Sequence, residues 1–290
     1  MTRTNHCTNI PASAAPRTPT PPAYGCRAAP GYHPQILATL PPEAVARSTG
    51  CGDPVGRSDL LVGDVVINLG SGSGIDLILA ARMVGPYGHV LGIDRSPELA
   101  AAARATISAA GVLDIEVREG RMEALPVPAE SVDWVFANCA INAALDKWQV
   151  FAEIARVLKP GGQTRIADVF TVGLPTWRDR DTAVAESCLA GATDEAEYTV
   201  GLTEAGLVDV AVGGRYVYDQ SQLAAMVPAR PEHGAGEFTA TDVAEAAVGG
   251  VWRAYLYARK PDPRPRRWDL VQSVSGETRA PWSSRKEHQT

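Results

Sequence analysis

The sequence predicts an α/β protein built on a doubly wound, mostly parallel sheet. Three observations carry that reading. Short apolar runs alternate with segments of helical period between residues 65 and 258. The first run, Val65–Leu69, stops at the glycine-rich turn Gly70-Ser71-Gly72-Ser73-Gly74, and a helical pattern follows directly. The second run, His89–Ile93, ends on the carboxylate of Asp94.

The elements follow in chain order. Gly31 to Asp59 is weakly patterned, with a short helical piece expected over Pro34–Leu40. Gly74–Val84 reads as a helix. So does Pro97–Ala110, where Ser96 suits the N-cap, Pro97 the first helical position and Gly111 the stop. Further strand-like runs lie at Ile115–Arg118, Val132–Ala137, Thr164–Phe170, Leu207–Val212 and Val251–Ala258, making seven in all. Lys147–Leu158 reads as a helix halted by Lys159-Pro160-Gly161-Gly162, and Asp194–Ala205 as another with Gly206 behind it. Gln220–Met226 completes the set. Residues 1–30, rich in proline, alanine and threonine, read as a disordered arm; 31–260 form the ordered domain with a small cover, and 261–290 a disordered polar tail.

Composition narrows the functional classes. The 290 residues are 45% hydrophobic, enough for a large core, and carry a net charge of -6 with a pI near 5.4. That charge argues against nucleic acid or a membrane surface as an electrostatic partner. No apolar stretch approaches a membrane span, and no signal-peptide core is evident, so a cytoplasmic location is expected. The five cysteines (Cys7, Cys26, Cys51, Cys139 and Cys188) are odd in number and lack a CxxC pair. This excludes a secreted disulfide framework and a standard zinc ribbon.

Glycines after a first strand let a ligand approach the backbone closely, and an acid ending the second strand accepts hydrogen bonds from ribose hydroxyls. A nicotinamide dehydrogenase fits poorly, because the third glycine arrives one position early for GxGxxG. The companion motifs are Gly120-Arg121-Met122-Glu123-Ala124-Leu125-Pro126, Ser131-Val132-Asp133-Trp134-Val135-Phe136 and Arg156-Val157-Leu158-Lys159-Pro160-Gly161-Gly162. Together these resemble the class I S-adenosylmethionine-dependent methyltransferases, with their Rossmann-like seven-stranded sheet, over about residues 64–212. The resemblance implies that Asn68, Gly70, Ser71, Gly72 and Gly74 line the methionine end of S-adenosyl-L-methionine. It places Asp94 at the ribose, Met122 and Glu123 at the adenine, and Asn138 at the cofactor's edge. That family usually has Asp where this chain has Asn68, so weaker binding of the donor's ammonium end is expected.

Cys139 follows the strand Val132–Ala137, which in such a fold adjoins the first strand across the ligand crevice. Cys51 sits between two glycines before the core, and Cys188 lies in the insertion after the fifth strand. Three thiols facing one crevice favour a soft, thiophilic centre, either a metal or a substrate. The pieces Gly50-Cys51-Gly52-Asp53-Pro54, Asn138-Cys139 with Ile141-Asn142, and Cys188 with Ala190-Gly191-Ala192 are similar to the arsenite S-adenosylmethionine methyltransferases, from about Gly31 to Leu207. That resemblance implies As(III) bound by Cys51, Cys139 and Cys188. The arsenic lone pair would attack the methyl group in line, in arsenic detoxification. A thiol reductant such as thioredoxin or glutathione is then an expected partner. Two other readings stay open: a methyltransferase for a quinone, lipid or natural product, with Asp168 or Tyr198 as base, and a non-catalytic metalloid-binding protein.

Overall fold

The computed structural model describes residues 31–172, 189, 191–226 and 247–263. The arm 1–30, nearly all of the tail, and Cys7, Cys26 and Cys188 lie outside them.

Two short helices, α1 (Pro34–Leu37) and α2 (Pro42–Ala46), precede the alternating core. The core runs β1 (Val65–Leu69), α3 (Ile75–Val84), β2 (His89–Asp94), α4 (Pro97–Ala110), β3 (Ile115–Glu119), β4 (Val132–Asn138), α5 (Lys147–Val157) and β5 (Leu158–Thr171). It continues with α6 (Glu195–Glu204), β6 (Val208–Val217), α7 (Gln220–Met226) and β7 (Val251–Arg259). The seven strands form one sheet in the order β3-β2-β1-β4-β5-β7-β6. Six run in one direction, and β7 alone runs antiparallel, to both of its neighbours β5 and β6. The strand order turns back between β1 and β4, so a crevice opens at their carboxyl ends, where open α/β sheets bind ligands.

Local chemistry explains the elements. The Ser96 hydroxyl accepts the Leu99 N–H at 3.2 Å and caps α4, which Gly111 ends in a left-handed conformation, as expected. Alternate strand residues feed two cores. Ile67, Leu69, Val135 and Ile166 pack under α5 and α6, while Val66, Val90, Trp134 and Phe136 pack under α3 and α4. Tyr32, Leu40, Ala44 and Val55 join the second core, so the weakly patterned N-terminal stretch is a packed cover over one sheet face.

The first helix ends at Leu37, three residues early, and two strand boundaries differ by more. Strand β5 starts at Leu158, not after the Pro-Gly-Gly turn, because Gly161 N–H donates to Lys260 O and Lys260 N–H to Gly162 O, continuing the ladder with the chain beyond β7. Strand β6 extends past Val212 to Val217, with Gly213 and Tyr216 on either side of a register shift that absorbs the irregularity.

Candidate functional site

Strands β1 and β4 end side by side, with Leu69 paired to Ala137. Above them the loop Gly70–Gly74 turns toward α3, and Gly70 N–H donates to Ile93 O at 2.8 Å. Gly70 has φ +72°, and a Cβ there would stand 2.5 Å from Ala140 Cβ, so only glycine serves. The cofactor loop therefore abuts the residue that follows Cys139. Asp94 is buried at the end of β2; its Oδ2 accepts the Gly72 N–H and its Oδ1 the Ser96 N–H, both at 3.0 Å. Met122 is half-buried against the core, and Glu123 Oε1 accepts the Leu145 N–H at 3.0 Å.

Asn68 is 2% exposed, and its Nδ2 has no hydrogen-bond partner; the buried Ser71 Oγ has none either. Buried polar atoms are normally satisfied. Two orphans beside a glycine loop fit a polar ligand end such as the amino-acid portion of S-adenosylmethionine. The residues present fit that group.

The thiol region is built by the dipeptide at the end of β4. Cys139 has φ +57°, unusual outside glycine, and its N–H donates to Ala167 O at 2.8 Å. Its thiol lies within hydrogen-bonding reach of the Cys51 thiol. That contact, then burial, then the nearby Asp168 carboxylate, push the Cys139 pKa well above the usual thiol range. Cys51 itself is buried. The structure thus brings together two of the three predicted cysteines, and Cys188 lies outside the described residues. Among the described residues no group of three or more His, Cys, Asp or Glu is arranged to hold a metal ion.

Asn138, read from the sequence as a cofactor residue, has its amide committed within the protein. Its Oδ1 accepts the N–H groups of Cys51 at 2.9 Å and Gly52 at 3.1 Å. Its Nδ2 faces Tyr32 Oη at 2.8 Å, Gly52 O at 2.9 Å and Asp76 Oδ2 at 3.0 Å. Tyr32 donates in turn to Asp76 Oδ1 at 2.9 Å. Burial raises the Asp76 pKa to about 7, against the lowering effect of those two donors. From the last strand, Tyr255 Oη accepts the Asp53 N–H at 2.9 Å and Arg253 donates to Cys51 O.

A second buried network underlies Cys139. The Asp168 carboxylate accepts from Val169 N–H (2.9 Å), Asn142 N–H (3.3 Å) and Asn142 Nδ2 (2.9 Å), and the Tyr198 hydroxyl lies between Asn142 Oδ1 (2.8 Å) and Asp168 Oδ2 (3.1 Å). Burial raises its pKa to about 6.

Sequence reasoning missed Tyr32, Asp76, Tyr218, Arg253 and Tyr255 as residues of this region. Asp76 was masked by position, since an acid in a first helical turn ordinarily complements the helix dipole. Tyr218, just past β6, and Arg253 and Tyr255, on β7, arrive from the far end of the chain, from strands whose place in the sheet no local pattern encodes.

Comparison with known proteins agrees with this geometry. A model of the methyltransferase domain matches residues 60–206. An arsenite methyltransferase of Halobacterium salinarum is 40% identical over 164 residues, 56% of this chain and 42% of that protein. The arsenite methyltransferase of Mus musculus is 32% identical over 173 residues, 56% of this chain and 46% of that protein. The chain spans about half the length of the curated relatives it matches. Among solved structures, an arsenic(III) S-adenosylmethionine methyltransferase from Chlamydomonas reinhardtii superposes with a TM-score of 0.63 at 27% identity, covering 80% of this chain and 74% of that one. The glycine loop, the acid ending β2 and the order of the strands are all accounted for together: the chain belongs to the methyltransferase-domain family, whose methyl donor is S-adenosylmethionine.

Proposed function

We propose that this methyltransferase acts on trivalent arsenic, taken up as arsenite or its thiol complexes and held by the thiolates of Cys51, Cys139 and Cys188. The observation that carries the reading is the meeting of the Cys51 and Cys139 thiols directly beside the cofactor loop. Residues 88 positions apart gain nothing in stability by placing two polarisable sulfurs together that an apolar pair would not supply. Sulfur ligands suit a soft centre such as As(III).

S-adenosylmethionine, when bound, supplies a methyl group on a sulfonium. The chain's own residues supply direction. Thiolates on arsenic leave its lone pair on the open face of a pyramid, and holding that face toward the methyl near ~3–3.5 Å is worth up to ~7–11 kcal/mol. No general base is required, since arsenic loses no proton. The new As–C bond takes the arsenic lone pair, so a thiol reductant of the thioredoxin or glutathione class returns two electrons. Arsenic detoxification in the cytoplasm is the corresponding role; among the described residues no helix is long and apolar enough to cross a membrane.

Methylation of a protic small molecule would need a base near the acceptor. Both candidates are fully buried: Asp168 accepts three N–H donors, and the single Tyr198 hydroxyl hydrogen is taken up between Asn142 Oδ1 and Asp168 Oδ2, which favours arsenic over that reading.

Incubation with labelled donor, arsenite and a small-thiol reductant, followed by speciation of the products, tests the proposal. Labelled methylarsenicals are expected from the native chain and none from Cys51→Ser or Cys139→Ser. Arsenite binding without turnover identifies a sink, and full turnover by the serine variants removes the thiol assignment.

A further inference from the structure

Tyr218 follows the last residue of β6, and its side chain is 1% exposed within the cluster that also contains Cys51, Ala167, Leu223 and Met226, with Cys139 packed against it. Its hydroxyl has no hydrogen-bond partner. A buried hydroxyl without a partner is a standing cost that phenylalanine would avoid at the same volume. The ring is fixed by the Tyr216 ring, edge to face at 5.6 Å, and by the backbone bond from Tyr218 N–H to Val251 O at 3.1 Å. The unpaired oxygen is within electrostatic reach of both thiols and of Asp168.

We infer that Tyr218 is a specificity-determining residue that donates its hydroxyl hydrogen to an oxygen on the arsenic substrate. This rests on the arsenic reading above. Arsenite carries three hydroxyls. Each thiol that binds forms an S–As bond while its proton leaves on the displaced hydroxyl as water, and arsenic stays trivalent. Once Cys51 and Cys139 have reacted, one As–OH remains, and the Tyr218 hydroxyl is its partner until that oxygen also departs. A phenol keeps its hydrogen at neutral pH, so Tyr218 can donate. Methylarsonous acid carries only two hydroxyls, both consumed by the two thiols, so it offers Tyr218 nothing.

The test is the rate at which the native chain and Tyr218→Phe take up each arsenical, followed by near-ultraviolet As–S absorbance after rapid mixing. Arsenite uptake is expected to slow about five- to tenfold in the variant, the worth of one hydrogen bond, while uptake of methylarsonous acid changes less than about twofold. The variant without arsenical should melt no lower than the native chain. Unchanged arsenite uptake, equal slowing with both compounds, or a lowered melting temperature overturns the inference. A native chain that takes up neither compound instead overturns the arsenic reading on which it stands.

Discussion

The backbone N–H of Cys51 donates to Asn138 Oδ1 at 2.9 Å, so the residue next to Cys139 holds Cys51 in place from 87 positions away. One dipeptide at the end of β4 therefore does two jobs: the Asn138 amide grips the backbone of one cysteine, and the following residue presents the other thiol to it. The separation of the two sulfurs is set by adjacent residues of a buried strand end, not by two independent loops.

Asn138→Ala removes that grip. It leaves Cys51 N–H, Gly52 N–H and the Asp76 carboxylate each short of a partner, at a cost of about 2–4 kcal/mol in urea unfolding. Arsenite affinity is expected to fall more than about tenfold. Isothermal titration should show S-adenosylmethionine binding within a few-fold of native; if donor binding collapses and arsenite binding stays, Asn138 serves the cofactor instead.

Gly52→Ala presses on the same turn. Its Cβ would stand 2.6 Å from Ala167 Cβ and 2.9 Å from Tyr255 Cε1, which are sheet residues that cannot withdraw cheaply. Overpacking of this kind costs about 1–3 kcal/mol. Arsenite uptake should weaken while donor binding holds. Native-like uptake in a well-folded variant would mean that the turn tolerates displacement.

Asp76 makes stability depend on pH. The folded chain keeps its proton up to about pH 7, whereas an unfolded aspartate loses it near ~4. Between those values the folded state binds more protons, so this contribution falls as pH rises through the window and is fully lost above it. Asp76→Asn keeps the shape without the titration. Its stability relative to native should therefore rise between about pH 5 and about pH 8 in paired denaturation curves. A flat difference would show that Asp76 is already ionised in the folded chain.

The raised Cys139 pKa predicts poor reactivity toward alkylating agents, because the thiolate is the nucleophile. At neutral pH iodoacetamide should label Cys139 more than about tenfold more slowly than a small free thiol. Peptide mapping after timed quenching measures this. Rapid labelling would place the sulfur in a more electropositive setting than the one described.

Asn68→Asp places a carboxylate where the donor's ammonium end is expected, beside the orphaned Ser71 hydroxyl. Charge-assisted bonds are about twice as strong as neutral ones, so S-adenosylmethionine should bind about threefold tighter or more by calorimetry. Equal or weaker binding rejects that contact.

Much of this was legible in the sequence because it is local. Period, capping and glycine placement located β1, α3, β2 and α4, and the Asp94 carboxylate lies at the strand end where the pattern put it. Cys51 and Cys139 were brought to one crevice by their place relative to the strands and assigned a shared role by the family resemblance, since nothing in either segment encodes the other. The Tyr32–Asp76–Asn138 network escaped notice for a related reason. Each member has an ordinary local explanation, and only the sheet shows that their polar atoms converge. Arg253 and Tyr255 were read simply as strand residues, because an antiparallel strand inserted between β5 and β6 leaves no mark on its own periodicity.

That inserted strand has a consequence during synthesis. Arg253 and Tyr255 clasp the Cys51 turn, about 200 residues upstream, by bonds to Cys51 O and Asp53 N–H. A nascent polypeptide can lay down β1 to β5, including the Asn138 grip on Cys51, as it emerges from the ribosome, yet the Cys51 turn gains its two bonds from β7 only once that strand has cleared the exit tunnel. The Cys51 turn is thus among the last parts of the molecule to be completed, and a prematurely terminated chain lacking β7 would carry the glycine loop with that turn only partly held.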